Sequence, residues 1–210
     1  MTESDQDDVN RRANEKAKKR KQARDKMLAT KTIEKGLVIV HTGKGKGKST
    51  AAFGLAARAI GNGMKVGIVQ YVKGKWDTGE RVVMEKFPDQ VTIRTMGEGF
   101  TWETQDRARD VAAAWAAWEA SKKMIKSARG DDAGYDMVIL DELNIVLRYG
   151  YLPLNEVLEV LTGKPDNLHV VITGRNAKPE LIEVADLVTE MTMVKHPFRS
   201  GVKAQKGIEF

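Results

Sequence analysis

At 210 residues the chain is long enough for one domain with a sizeable core. Hydrophobic residues make up 41% and charged residues 30%, an ordinary globular balance, and no apolar run approaches the ~18 residues of a membrane span. The absence of cysteine excludes disulfides, thiolate metal sites and cysteine nucleophiles. The start of the chain lacks the apolar core of a signal peptide, so the expected address is the cytoplasm, with no membrane partner. The net charge of +6 is unevenly placed: residues 1–31 carry ten Lys/Arg against six Asp/Glu, and the other 179 carry 25 against 23. The nearly neutral remainder does not read as a nucleic-acid binder.

Residues 1–31 contain no glycine or proline and from Arg11 are rich in Ala, Lys, Arg, Gln and Glu, which favours helix. Its apolar positions, Val9, Ala13, Ala17, Met27 and Leu28, are sparse, so such a helix has little to bury. Two readings stay open: a frayed, solvated arm, or an arm that orders over a negatively charged ligand or a partner subunit. Residues 32–210 read as one domain, with no linker after residue 35 and no internal repeat.

That domain begins with a β-branched apolar run, Leu37 to Val40, which predicts a buried strand. It feeds a turn containing Gly43, Gly45 and Gly47, then Lys48-Ser49-Thr50 and the helical pattern Ala51 to Ile60. Strand, glycine loop, Lys-Ser and helix together are the context of a P-loop. Backbone N–H groups of such a loop converge on an anion, and the helix N-terminus adds its positive dipole end. The candidate phosphate-binding residues are Thr42, Gly43, Lys44, Gly45, Lys46, Gly47, Lys48, Ser49 and Thr50. Lys48 is placed to reach the distal phosphates and Ser49 to ligate Mg²⁺. The pattern departs at one point, because Thr42 occupies the first-glycine position. A lysine-rich glycine loop can also be a plain solvated turn, but the flanking strand and helix argue against that here.

Gly61-Asn62-Gly63 stops the helix, and Lys65 to Val72 reads as a second buried strand. Asp77-Thr78 can cap a short helix through Phe87, ended by Pro88, and Val91 to Thr95 alternates like a third strand. The loop Met96 to Glu103 holds two glycines and two large aromatics, Phe100 and Trp102, a costly place for exposed rings. The longest helix is expected from about Thr104 to Arg129, with Val111, Trp115, Trp118 and Ile125 on one core-facing stripe. Met137 to Glu142 is an apolar strand ending in Asp141 and Glu142, expected beside the P-loop strand and presenting acid to Mg²⁺ or its water shell. A helix over Pro153 to Leu161, a strand over Leu168 to Thr173, a helix over Pro179 to Ala185 and a strand over Leu187 to Val194 complete the pattern. His41, His169 and His196 are scattered, so no zinc site is expected.

Strands alternating with helices predict an α/β fold: a single P-loop nucleotide-binding domain whose mostly parallel sheet carries helices on both faces. Right-handed crossovers put the loops at one end, so Gly43–Ser49, Lys73–Gly79, Gly97–Trp102 and Asp141–Asn144 can share a crevice. On these grounds alone the chemistry stops at a Mg-nucleotide protein, with Glu142 able to orient water for attack on the γ-phosphorus.

Several motifs in order carry a more specific resemblance: Thr42-Gly-Lys-Gly-Lys-Gly-Lys-Ser-Thr-Ala-Ala-Phe-Gly54, Gly99-Phe-Thr-Trp-Glu-Thr104, Val138-Ile-Leu-Asp-Glu-Leu143, Tyr151-Leu-Pro153 and Ile172-Thr-Gly-Arg175. Val194-Lys-His-Pro-Phe198, Gly201-Val-Lys-Ala-Gln205 and Gly207-Ile208 complete the series. In these the chain resembles the P-loop-type ATP:corrinoid adenosyltransferases, Thr42 included. The resemblance implies alkyl transfer: a Co(I) corrinoid attacks C5′ of ATP and triphosphate leaves whole, with ATP lying in the reverse sense along the P-loop. It implies phosphate binding by Lys48, Mg²⁺ held by Ser49 and Glu142 with Asp141 as the alternative acid, and Lys48 and Glu142 as the catalytic pair. Phe100 and Trp102 are implied to pack beneath the corrin ring, helping to remove the lower ligand and leave four-coordinate Co(II). Also implied are cobalamin or a cobinamide-type corrinoid as substrate, a reduced flavoprotein as electron donor, and a homodimer in which the N-terminal helix lies over an active site. The rival readings are a P-loop ATPase or kinase and a non-catalytic carrier.

Overall fold

The computed structural model describes residues 3–72, 78–96, 106–127 and 134–209. In chain order the elements are α1 (Glu3–Ala29), β1 (Val38–Thr42), α2 (Lys48–Gly61), β2 (Val66–Gln70), α3 (Gly79–Met84), β3 (Val91–Thr95), α4 (Arg107–Lys126) and β4 (Met137–Asp141). Then come α5 (Leu143–Arg148), α6 (Leu154–Thr162), β5 (His169–Thr173), α7 (Pro179–Val184), β6 (Leu187–Glu190) and a 3₁₀ turn (Pro197–Ser200). The chain divides into two compact units, Met1–Glu34 and Lys35–Phe210. In the first, α1 is one 27-residue helix, and residues 6–34 are all exposed, so intrinsic propensity carries the helix without a buried face.

In the second unit six strands form one sheet in the order β3-β2-β4-β5-β1-β6, and every neighbouring pair is parallel. Helices cover both faces, as the alternation of strand and helix patterns predicts. On one face Val38, Val40, Val138, Leu140, Val170 and Ile172 pack with Trp118 and Ile125 of α4, Val157 of α6 and Leu181 of α7. On the other, Ile39, Ile68, Ile139 and Val171 meet Ala52, Phe53, Ala56, Ala59 and Ile60 of α2. The three alanines let α2 lie close over the sheet, which sets the P-loop at its N-terminus against the strand ends. Each fully buried Val, Leu or Ile is worth about 1.5–3 kcal/mol, so these two layers hold the sheet rigid beneath the loops.

Two expectations need correction. The acidic strand β4 does not lie beside the P-loop strand: β5 stands between them, Val170 pairing with Val138 on one side and Val38 on the other. At ~4.8 Å per strand step, Asp141 and the end of β1 are therefore about 10 Å apart across the sheet. The last strand is also shorter than Leu187 to Val194. β1 ends at Thr42, so there is no strand left to pair with. The N–H of Met191 donates to the Thr42 carbonyl at 2.9 Å, and its carbonyl accepts from Gly45 at 2.6 Å. Smaller differences are a short helix, α5, directly after Glu142, and an α4 of 20 described residues whose N-cap is Asp106, accepting from Arg109 N–H at 3.1 Å. Among the described residues no helix is long and apolar enough to cross a membrane.

Candidate nucleotide site

β1 carries the chain out of the core into the loop, where Gly43 (φ 97°) and Gly47 (φ 100°) take left-handed conformations that let the backbone curl. Gly45 is there for a different reason. A Cβ at that position would stand 2.7 Å from the Met191 carbonyl oxygen and 2.8 Å from that of Thr192. The departure at Thr42 also has a structural meaning, since its hydroxyl accepts from the Ala177 N–H at 3.0 Å and pins the segment after β5 to the loop.

Lys48, the first residue of α2, is 7% exposed, and its ammonium donates to the Gly45 carbonyl. Burial lowers its pKa from the ordinary lysine value, the Glu142 carboxylate pulls it back up, and Arg175 and Lys46 lower it further. A buried ammonium facing one carboxylate and two other cations suits a polyanion, whose charge all three cations would balance. Ser49 is half-buried at the same helix start, while Lys44, Lys46 and Thr50 are exposed. Lys46 also forms an ion pair with Glu209, which brings the C-terminal end of the chain to the loop.

Across the crevice stand the acids. Asp141 is fully buried: its Oδ1 accepts from the Thr173 hydroxyl at 2.8 Å and its Oδ2 from Gln70 Nε2 at 3.4 Å. Glu142 is half-buried and left-handed (φ 67°, ψ 19°), a conformation that costs a non-glycine residue about 1–3 kcal/mol and concentrates at functional sites. Its N–H donates to the Thr173 hydroxyl at 2.9 Å. The Glu142 carboxylate thus lies within electrostatic reach of Lys48, and Ser49 follows Lys48 in the first turn of α2. The structure turns Asp141 into the wall behind them. The described residues hold no cluster of three or more metal-binding acids or histidines. The donor set still fits Mg²⁺, which keeps several waters and takes one or two protein oxygens beside substrate phosphates.

The expected convergence of four loops is seen for Gly43–Ser49 and Asp141–Asn144. Phe100 and Trp102, with residues 73–77 and 97–105 generally, lie outside the described residues.

Two further walls come from motifs that carried the resemblance but received no role of their own. One is the end of β5, Thr173-Gly174-Arg175, whose signal was a polar Thr-Gly at the end of an apolar strand. The other is the C-terminal segment. A cavity of about 280 Å³ opens beside the loop, lined by Lys44, Arg175, Met193, His196, Phe198 and Arg199. Three of those six side chains are lysine or arginine and none is an acid. His196 Nδ1 accepts from the Phe198 N–H at 3.2 Å, which holds the turn that lines it.

Residues 34–210 match the family model described as ATP:corrinoid adenosyltransferase BtuR/CobO/CobP. The chain is similar to a corrinoid adenosyltransferase of Sinorhizobium sp, 59% identical over 93% of this chain and 90% of that one. It is similar to a corrinoid adenosyltransferase of Pseudomonas aeruginosa, 50% identical over the whole of both. A corrinoid adenosyltransferase of Salmonella typhimurium is 48% identical over 89% of this chain and 91% of that one.

Proposed function

The chain belongs to the ATP:corrinoid adenosyltransferase family, and from that premise we propose how its residues divide the work. It is a transferase that adenosylates corrinoids at the expense of ATP, in cobalamin biosynthesis or salvage. In the proposed reaction a Co(I) corrinoid supplies both electrons of the new Co–C5′ bond. The C5′–O bond breaks, and its electrons leave with inorganic triphosphate. The metal is the nucleophile, so the protein needs no base. Its tasks are to hold C5′ in line, neutralise the leaving group and keep water out.

The observation that carries this reading is buried Lys48 at the start of α2, acted on electrostatically by Glu142 and Arg175, beside a cavity lined by Lys44, Arg175 and Arg199. The P-loop amides and Lys48 bind the triphosphate; Lys44, Arg175 and Arg199 extend the positive surface beyond it. Ser49 and Glu142 would hold Mg²⁺, which when bound offsets the charge collecting on the departing phosphates. Phe100 and Trp102 form the apolar floor for the corrin ring, on the grounds of their motif alone. A reduced flavoprotein is the electron donor, and the enzyme works in the cytoplasm as a homodimer.

The test is to incubate the protein with ATP and chemically reduced cob(I)alamin. Light-sensitive adenosylcobalamin and triphosphate are expected in equal amounts. ADP and phosphate as products would mark an ordinary phosphoryl-transfer enzyme, and tight binding without product a carrier.

A further inference from the structure

The motif Ile172-Thr-Gly-Arg175 ends the strand that separates the P-loop strand from the acidic strand, so Thr173 and Gly174 stand between the two at the C-terminal end of the sheet. Thr173 is fully buried there and makes two hydrogen bonds through one hydroxyl. The hydroxyl donates its proton to Asp141 Oδ1, at 2.8 Å. The oxygen lone pair is thereby left facing the Glu142 N–H, at 2.9 Å. Asp141 is steadied in turn by Gln70 Nε2, and Gln70 Oε1 accepts from Thr95 Oγ1 at 3.0 Å. Thr95 Oγ1 accepts from Arg81 at 3.2 Å. One row of polar side chains thus runs along the C-terminal ends of β3, β2, β4 and β5 and stops at the backbone of Glu142. Gly174 completes the grip. At φ 123° it favours glycine, and a Cβ there would lie 2.9 Å from Asn144 Cβ and 3.2 Å from Glu142 Oε2. Its carbonyl accepts from Asn144 Nδ2 at 3.0 Å, tying the residue two beyond Glu142 to the same strand end.

We propose that Thr173 and Gly174 are positioning residues for Glu142: Thr173, oriented by Asp141, holds its main chain in the left-handed conformation, and Gly174 leaves room for its carboxylate. Asp141 on this account orients the hydroxyl and is not itself the acid that meets the metal. The inference rests on the reading that Glu142 serves Mg²⁺ beside the triphosphate.

The experiment uses the full chain with Thr173→Val, Thr173→Ser, Gly174→Ala and Glu142→Gln. Three quantities are read: the Mg²⁺ concentration giving half-maximal ATP binding in calorimetry without corrinoid, and kcat and KM with cob(I)alamin. Thr173→Val is expected to raise the Mg²⁺ requirement and lower kcat by about tenfold, the low end for residues that orient metal ligands. Its corrinoid KM should stay within about twofold, and Thr173→Ser should restore both properties. Gly174→Ala keeps the hydroxyl and crowds the carboxylate, so it is expected to shift the Mg²⁺ titration even if Thr173→Val fails to fold. A shifted titration in Glu142→Gln beside wild-type titrations in the Thr173 and Gly174 variants would overturn the positioning role and leave the metal assignment standing. An unshifted titration in Glu142→Gln would overturn that assignment and this inference with it.

Discussion

The Gly45 N–H donates to the Met191 carbonyl at 2.6 Å, so the glycine-rich loop is braced by the residue just past an edge strand that is exposed along its whole length. That contact leaves no space for a side chain. Gly45→Ala must move either the loop or Met191, and such overpacking costs about 1–3 kcal/mol. At this chain length each kcal/mol is about 2–4 °C of Tm, so a fall of several degrees is expected, together with weaker ATP binding. Gly54→Ala is the control: it sits in α2 with nothing within 4 Å of the new Cβ and should gain about 0.5–1 kcal/mol. Equal melting temperatures for the two variants would show that Met191 does not brace the loop.

Lys48→Ala removes the buried ammonium that Glu142 faces. Charge-assisted contacts are worth about 1.5–3 kcal/mol, so kcat/KM for ATP should fall at least about tenfold and calorimetric ATP affinity with it. Wild-type kinetics in this variant would take the P-loop lysine out of the mechanism.

Acid should destabilise the fold through His169. Its Nδ1 accepts from the Leu37 N–H at 3.1 Å at the entry to β1, which needs the unprotonated nitrogen. Burial, then the charge of Lys164, lower its pKa, against a smaller opposing effect of Asp136. The folded state therefore takes up its proton at lower pH than the unfolded chain does. The stabilisation is whole above the unfolded value, about 6.5, and is lost as pH falls from there toward the folded value. His41, lowered by burial, adds in the same direction. Urea midpoints measured from pH 7.5 to 5.5 should fall more steeply for the wild type than for His169→Asn, and parallel slopes would refute the assignment.

Trp118 links α4 to α6: its ring is fully buried and its Nε1–H donates to Glu156 Oε1 at 2.8 Å. Lys122 donates to the same oxygen at 2.9 Å and keeps Glu156 partnered when the indole is lost. Trp118→Phe should therefore cost only about 1 kcal/mol in urea unfolding. Trp118→Ala opens a cavity and should cost about 3–5 kcal/mol. With no exposed ring surface, neither change should alter ATP affinity beyond what instability explains, and a selective loss of binding would contradict the core assignment.

The P-loop was legible in the sequence because everything that defines it is contiguous: Leu37 to Ile60 holds strand, turn, lysine and helix within 24 residues, so local propensity and spacing suffice. The same holds for the Trp118 stripe and for the alternation that makes the sheet parallel. The order of the strands was not legible, because β5 enters between β1 and β4 by setting Val170 in register with residues 132 and 32 positions away, Val38 and Val138, and the apolar runs of β4 and β5 are interchangeable in pattern. That single placement decides the site. It separates the acidic strand from the P-loop strand and puts Thr173 and Gly174 between them. Met191, Arg175 and Glu209 reach the loop the same way, from segments more than 120 residues distant. Local sequence determines which backbone can cradle an anion; only the closed sheet, pairing strands remote in the chain, determines which side chains meet there.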